Sequence, residues 1–496
     1  MSTSINNNLG KNILKSKVNT FHKYLTSPVL IGALMLLAIA SAYLSVNTNA
    51  FIPFAITAGL IAMMLVYTCL TNPLVGYYLT TVMGFFAFWP TRILNKELPI
   101  PTFVELVVLF LFLGTYLKGK GDVNFRGHLM RSGVTIMLIV TSLFFIVELF
   151  NPAMGTPAGW LFTSKRYTVY ILFFVISYRL INTPERFRYF LKFWIVMSFI
   201  AALYACTEQW FGFLPFELAY IKNDPHEYAL LFQGGVIRKF SFLDGIVTFS
   251  NLAGSMAVIT TILALNEKNR KLKYRLAFAV VILIMGMSYA GARTTTIMMP
   301  AGIALYVLIT LKNKTTLITL FTTMLAVLFI MFAPIDNPTI NRMRSTFDSK
   351  DESLVVRDIN RKYIQPYIYA HPIGGGIATS GVEGQRFNPL HTLAGFPPDS
   401  GLLKLAIETG CIGLALTLAL YLTIVYQGIV YYFKMQNEEY KKYIVAITCG
   451  LFSIIVTLYA QVSIGQIPNA FFFYAVMALF KRLMEFDDKE RLVAPA

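Results

Sequence analysis

Apolar runs long enough to cross a lipid bilayer follow one another along almost the whole chain. They lie near residues 28–46, 51–70, 74–91, 103–117, 132–150, 168–182, 189–207, 246–265, 276–291, 295–311, 315–333, 400–432, 443–462 and 466–480. Most hold about 16–25 residues, and at the rise of an α-helix such a run matches a hydrocarbon layer of ~30 Å. The spacing therefore predicts an all-α, polytopic integral membrane protein of about 12–14 transmembrane helices. The pairs 74–91/103–117 and 276–291/295–311 decide where in that range the count falls. With 56% hydrophobic and 14% charged residues, the composition excludes the alternative of about three soluble domains for a chain of this length.

One long polar interruption organises the rest. Residues 1–333 form the N-terminal transmembrane helices, 334–399 a large extracytoplasmic loop that is the place for chemistry, and 400–496 the C-terminal helices and tail. The net charge of +17 does not indicate nucleic acid, because most of the 42 lysines and arginines sit in short connectors between apolar runs. The N-terminus and the connectors 118–131, 179–192, 266–275, 312–314 and 434–442, with the C-terminal tail, all fall on one side. By the positive-inside rule that side, with both termini, is cytoplasmic. Residues 334–398 and a second long connector, 208–245, are then outside. The first 27 residues are polar and lysine-bearing, longer than a usual signal-peptide n-region, so the first apolar run reads as a retained span.

The inner connectors hold no GxxxxGK[ST], GxGxxG or Asp-x-Asp pattern, so nothing in them supports a nucleotide site. Gly374-Gly375-Gly376 lies in the outer loop without the Lys and Ser/Thr of a phosphate-cradling loop, and reads as a tight backbone turn. Cys69, Cys206, Cys411 and Cys449 are far apart and show no metal-ligand or disulfide spacing, so no metal and no cofactor is expected.

Charges in spans are costly and usually functional. Here they gather toward the outer ends: Glu105, Glu148, Glu208, Arg293, Lys404 and Glu408. Lys404 and Glu408, four apart, are placed to pair on one helix face. In the loop, residues 355–364 can form a helix with Arg357 and Arg361 on one face, and two guanidiniums a turn apart can fork onto a diphosphate. Otherwise that helix is simply a solvated surface. Arg238 precedes the span that includes Asn251, and Arg293 lies in the hairpin Ser288–Thr294; each can equally snorkel at the interface. With His391 and Asp399 these arginines outline an outer site for an anionic, lipid-attached substrate. Tyr363, Tyr367, Tyr369 and Phe387 offer faces for sugar stacking, or interfacial anchors.

The order of these features resembles the bacterial O-antigen ligase and O-antigen polymerase family. The resemblance rests on an outer arginine before a span, a Ser-x-x-x-x-Arg hairpin, and Arg357 upstream of Tyr369-Ala370-His371-Pro372-Ile373-Gly374-Gly375-Gly376. It continues in Glu408-Thr409-Gly410-Cys411-Ile412-Gly413, similar to the family's Glu-x-Gly-x-x-Gly signature. It implies an inner-membrane glycosyltransferase that moves a glycan from an undecaprenyl-diphosphate carrier to a lipid or glycan acceptor on the outer face. Arg238, Arg357 and Arg293 inherit diphosphate binding from the match, and Arg361 joins them by its helical spacing. One departure stands out: Asp399-Ser400 occupies the place of the ligase His-[Asn/Ser/Gln] pair, and His391 comes eight residues earlier. Either Asp399 is the base, or an insertion lets His391 reach the same position; Asp399 also suits a helix N-cap. The departure favours a polymerase-like relative. The competing class, a flippase of lipid-linked oligosaccharide, usually places polar groups at the midplane, which is apolar here.

Overall fold

The computed structural model describes residues 51–95, 98–118, 129–223, 225–233, 235–311 and 352–493, with isolated positions between 312 and 351. The candidate span 28–46, most of 315–333 and the loop before residue 352 lie outside the described residues. The chain divides into two units, residues 1–68 and 69–496. Of the first, the described part belongs to a helix, Phe51–Thr71, that runs on into the second. All further elements belong to the second unit.

The molecule is an all-α, multi-pass membrane protein. Among the described residues seven helices are long and apolar enough to cross a membrane: Ile100–Leu117, Gly133–Phe150, Pro184–Phe211, Ile246–Leu265, Arg270–Tyr289, Gly401–Lys434 and Glu438–Thr457. Their ends carry the expected local chemistry. Thr183, Asn269 and Asn437 accept hydrogen bonds from the first free N–H groups of their helices, and Pro184 opens one of these where its missing N–H costs nothing.

Three apolar runs differ in outline from the sequence expectation. Run 74–91 is two helices, Pro73–Phe85 and Trp89–Leu94, parted by a turn ahead of Pro90. Run 295–311 is likewise split, into Arg293–Thr296 and Met298–Ile309. Run 168–182 is the end of a longer helix, Ala158–Leu180, whose first half carries Lys165 and Arg166.

Close approach of small residues and stacked rings hold the bundle together. A Cβ at Gly302 would press on Val258, and one at Gly286 on Ala202, so glycine sets these helix separations. The Phe173 and Phe471 rings stack at 4.2 Å between centroids. Ile100–Lys118 and Ala158–Leu180 lie alongside in the same direction: Lys165 meets Glu105 near their starts, and Arg179 covers the Tyr116 ring near their ends.

The basic connectors 179–192, 266–275 and 434–442 and the last helix meet at one end of the bundle. Arg188 pairs with Glu439 at 2.8 Å, Lys442 with Glu267 at 3.2 Å, and the backbone N–H groups of Gln436 and Asn437 donate to Asp487. Arg482 donates to the Tyr178 carbonyl and pairs with Glu485. The long connectors 208–245 and 352–398 fold at the opposite ends of the same helices. Separated charge of this kind is what a bundle spanning two aqueous faces requires.

Candidate functional site

The polar segment after residue 352 is anchored by a backbone joint. The helix Gly401–Lys434 is broken at Gly410, whose φ of +66° and ψ of −170° belong to glycine alone. The break frees the carbonyls of the preceding turn, and the loop satisfies them: Gly375 N–H donates to Ile407 O and Gly376 N–H to Glu408 O, both at 2.9 Å. The approach is so close that a Cβ on Gly410 would collide with the Pro372 carbonyl, and one on Gly374 with the Glu408 backbone. Asn151 donates its side-chain amide to the Ile373 carbonyl at 3.0 Å and to Glu148 at 2.9 Å. The intramembrane charge of Glu148 thus serves the joint. The glycine run is the tight turn the sequence suggests, and its partner is the second glycine motif.

Beside the joint lies a cavity of about 480 Å³ between the helices Gly133–Val147, Ala158–Leu180, Gly401–Lys434 and Asn469–Val493. Much of its wall is apolar or aromatic, including Phe144, Tyr167, Leu420, Tyr421, Phe473 and Tyr474. Its charged lining consists of Arg166, Glu383, Lys404 and Glu408. Glu408 is buried and accepts from the Ser380 hydroxyl and N–H. Lys404 is 3.9 Å from Glu408, as the spacing predicts, yet its shorter partner is Glu383 at 2.7 Å, on the helix Gly381–Phe387. Arg166 touches Glu105 only through Nε, at 3.6 Å, and lies over the Phe162 ring. Its two terminal nitrogens carry no hydrogen bond among the described residues. Lys165 takes the closer contact with Glu105, at 2.8 Å. A guanidinium with free donors at an amphipathic cavity is suited to an anion carried on a lipid.

Of the charges the sequence singles out, Lys404 and Glu408 line the cavity, whereas Arg357, Arg361, Asp399, His391, Arg238 and Arg293 do not and fall into three groups. The first is at the rim. Residues 352–370 form a helix, so Arg357 and Arg361 stand one turn apart as expected. Arg361 is committed: it donates to the Tyr459 hydroxyl at 2.8 Å and carbonyl at 3.0 Å, covers that ring, and lies 3.6 Å from Asp358. Asp399 accepts from Asn360 on the same helix at 3.1 Å. The N-cap of the following helix is Ser400, whose hydroxyl accepts from Leu403 N–H and donates to Leu458 O. Asp399 is therefore spared the capping role its position suggests. Tyr459 continues into Val462, Ile464, Gly465 and Gln466, which line the cavity, so rim and wall are one stretch of backbone.

His391 forms the second group. Its Nδ1 accepts from Leu393 N–H at 3.1 Å, its ring faces Gly375, and it bonds to the Ala153 backbone. Burial holds its pKa below the ordinary histidine range, with the Ala153 bond opposing. His391 and Asp399 thus have different neighbours. His371 stacks on Tyr367 at 4.0 Å, at the start of the turn.

Arg238 and Arg293 form the third group. Arg238 donates to the Ala290 carbonyl at 3.1 Å and to Gln233 at 3.2 Å, and Lys239 N–H to Tyr289 O, so both arginines sit on the turn after Tyr289. The segment that follows is clamped by Arg92, fully buried, which donates to the carbonyls of Ser241, Leu243 and Asp244. Glu208 accepts from Ser241 N–H, so this charge too holds a connector. Four residues past Asp244, Thr248 donates to Gln466 of the cavity wall.

Sequence reasoning missed Arg166 and Glu383. Lys165 and Arg166 interrupt the apolar run that marks their helix, and Glu383 acquires its place only through a partner 21 residues away. The O-antigen ligase family model, Wzy_C, matches residues 278–418. That stretch includes Arg293, the rim helix, the glycine joint, Glu383 and Lys404, and it bears out the resemblance to the O-antigen ligase and polymerase family. The match supports an O-antigen ligase-type activity, broadly that of a membrane enzyme that transfers glycans. No curated protein matches the chain.

Proposed function

We propose, from the O-antigen ligase match as premise, that the protein moves a glycan from a polyprenyl-diphosphate carrier to a lipid or glycan acceptor on the outer face of the bacterial inner membrane. The observation that carries this reading is the cavity, with Arg166 and Lys404 in the lining and an aromatic, apolar wall between membrane helices. A sugar diphosphate already carries its leaving group, so the main task is stabilising the charge that develops on the departing diphosphate. Arg166 and Lys404 supply that from the cavity, and Arg238, Arg293 and Arg357 from the turn and the rim helix. Arg361 acts through Tyr459 as a positioning residue. The apolar wall receives the carrier's prenyl chain near its diphosphate, and the rim admits the acceptor from the aqueous side.

Purified protein in lipid nanodiscs, given a synthetic polyprenyl-diphosphate oligosaccharide, tests the reading. Release of polyprenyl diphosphate with a longer carrier-linked glycan identifies a polymerase, the outcome favoured by the Asp399-Ser400 departure. Glycan transferred to an added lipid acceptor identifies a ligase. Intact carrier crossing proteoliposomes without bond cleavage identifies a flippase and overturns glycosyl transfer. The outer placement is tested by Val382→Cys, at an exposed site, in a Cys411→Ser background. An impermeant thiol reagent should label it in intact spheroplasts, and labelling only after permeabilisation reverses the assigned face.

A further inference from the structure

Transfer to a sugar hydroxyl needs a proton acceptor where that hydroxyl meets the anomeric carbon. Two carboxylates line the cavity, Glu383 and Glu408. Glu408 is engaged: it is 5% exposed, takes both hydrogen bonds that Ser380 offers, and accepts Gly376 N–H on its carbonyl. Replacing it would disturb the joint before any chemistry.

Glu383 stands differently. It rides on the short helix Gly381–Phe387, outside the apolar core, with its side chain 30% exposed. Lys404 holds one oxygen, Oε2, at 2.7 Å. The other, Oε1, has no hydrogen-bond partner among the described residues. The helix is fixed at its base by Gly381 N–H to Phe396 O and by Gly384 N–H to Ser380 O, each at 2.9 Å. Glu383 therefore has one oxygen anchored by a cation and one free, on a wall it shares with Arg166, whose terminal nitrogens carry no hydrogen bond among the described residues.

Resting on the glycosyl-transfer reading, we propose that Glu383 is the general base of the reaction, in place of Asp399 or His391. The acceptor oxygen attacks the anomeric carbon as the bond from that carbon to the diphosphate oxygen breaks. The bonding pair leaves on the diphosphate, toward Arg166, and the hydroxyl proton passes to the free Oε1 of Glu383. Lys404 aims the carboxylate and stays protonated throughout. Water returns the enzyme to its starting state by taking the proton from Glu383. Asp399 and His391 do not line the cavity, and His391 Nδ1 is taken by Leu393 N–H.

The nanodisc assay decides this with full-length protein and the synthetic carrier. Glu383→Gln keeps an oxygen for Lys404 but is no base. It should lower kcat by roughly 10²–10⁴-fold, the usual scale for such a group, with the carrier's KM within about threefold and the thermal midpoint unmoved. Glu383→Ala should regain part of the lost kcat on addition of formate, which a purely structural role would not allow. Should Glu383→Gln not fold, Glu383→Asp decides: a base withdrawn by one methylene lowers kcat at constant KM, whereas unchanged kcat overturns the proposal. An active wild type with an equally active Glu383→Gln overturns Glu383 while glycosyl transfer stands. A wild type that neither releases diphosphate nor extends a glycan overturns both.

Discussion

The cavity wall and the rim helix both carry arginine and carboxylate, and they use them in opposite ways. On the rim, Arg361 is taken up by Tyr459 and Asp358, and Asp399 holds Asn360. On the wall, Arg166 and Glu383 each keep polar atoms without a hydrogen-bond partner among the described residues, facing a space large enough for a ligand. A satisfied ion fixes structure, whereas an ion with spare donors or acceptors next to a cavity is poised for something that arrives. By this criterion Arg361 and Asp399 position and the wall acts. Four substitutions put the contrast to the test.

The largest effect falls on what joins the two regions. Gly410→Ala places a side chain where φ is +66° and the Pro372 carbonyl already stands. The backbone strain alone is worth about 1–3 kcal/mol, before the collision is counted. The expected outcome is loss of monodisperse protein after detergent extraction, or a thermal midpoint lowered by several degrees with no transfer. Gly245→Ala is the control, since Gly245 is extended and nothing lies within 4 Å of a Cβ there. Equal stability of the two variants would mean that rim and wall are not coupled through the joint.

Next is the wall itself. Arg166→Ala should lower kcat/KM for the carrier by about 10²-fold or more, the scale for one donor that meets developing charge. Arg166→Lys should recover only part of this, because a point charge does not reproduce the fork. Wild-type kinetics in Arg166→Ala would remove the wall from the reaction and return the diphosphate to Arg238, Arg293 and Arg357 alone.

Much of this architecture is legible in the sequence, for definite physical reasons. Apolar length and the basic connectors outline the spans and gather charge at one end, since both follow from the bilayer acting as solvent. The two glycine motifs are visible as motifs, but that each fills the other's gap is a tertiary fact; a broken helix leaves no periodic trace at Gly410. Lys165 and Arg166 hide the start of their helix because hydropathy counts them against a span, although both meet Glu105 and Arg166 also lines the cavity. Asp399 and His391 stand out by counting from a motif. Counting along the chain does not show that a short helix at 381–387 brings Glu383 to the wall first.

On the rim the effects should be smaller. Arg361→Ala loses two hydrogen bonds and a ring contact at a site still partly open to solvent, worth about 1 kcal/mol in stability. The measurable outcome is a thermal midpoint lowered by a few degrees, with kcat/KM reduced by less than about tenfold. A loss as deep as that of Arg166→Ala would place Arg361 on the diphosphate and erase the distinction between the regions.

The smallest effect expected is that of Asp399→Asn, the substitution that speaks most directly to the counted motif. The carboxylate accepts one hydrogen bond, from the Asn360 amide at 3.1 Å, and the side-chain carbonyl that Asp399→Asn leaves in place can accept the same bond. The helix start does not depend on residue 399, because Ser400 caps it through Leu403 N–H. Neither the fold nor the rim contact therefore requires the negative charge. If Asp399 only ties the loop to the rim helix, Asp399→Asn retains at least about a third of wild-type kcat, and Asp399→Ala loses more than Asp399→Asn because the Asn360 bond goes with it. A general base abolishes that ranking: both variants fail alike, by roughly 10²–10⁴-fold, since neither side chain takes a proton. The relative standing of the two variants, read as kcat with the thermal midpoint alongside, separates a tether from a base even if both lower activity.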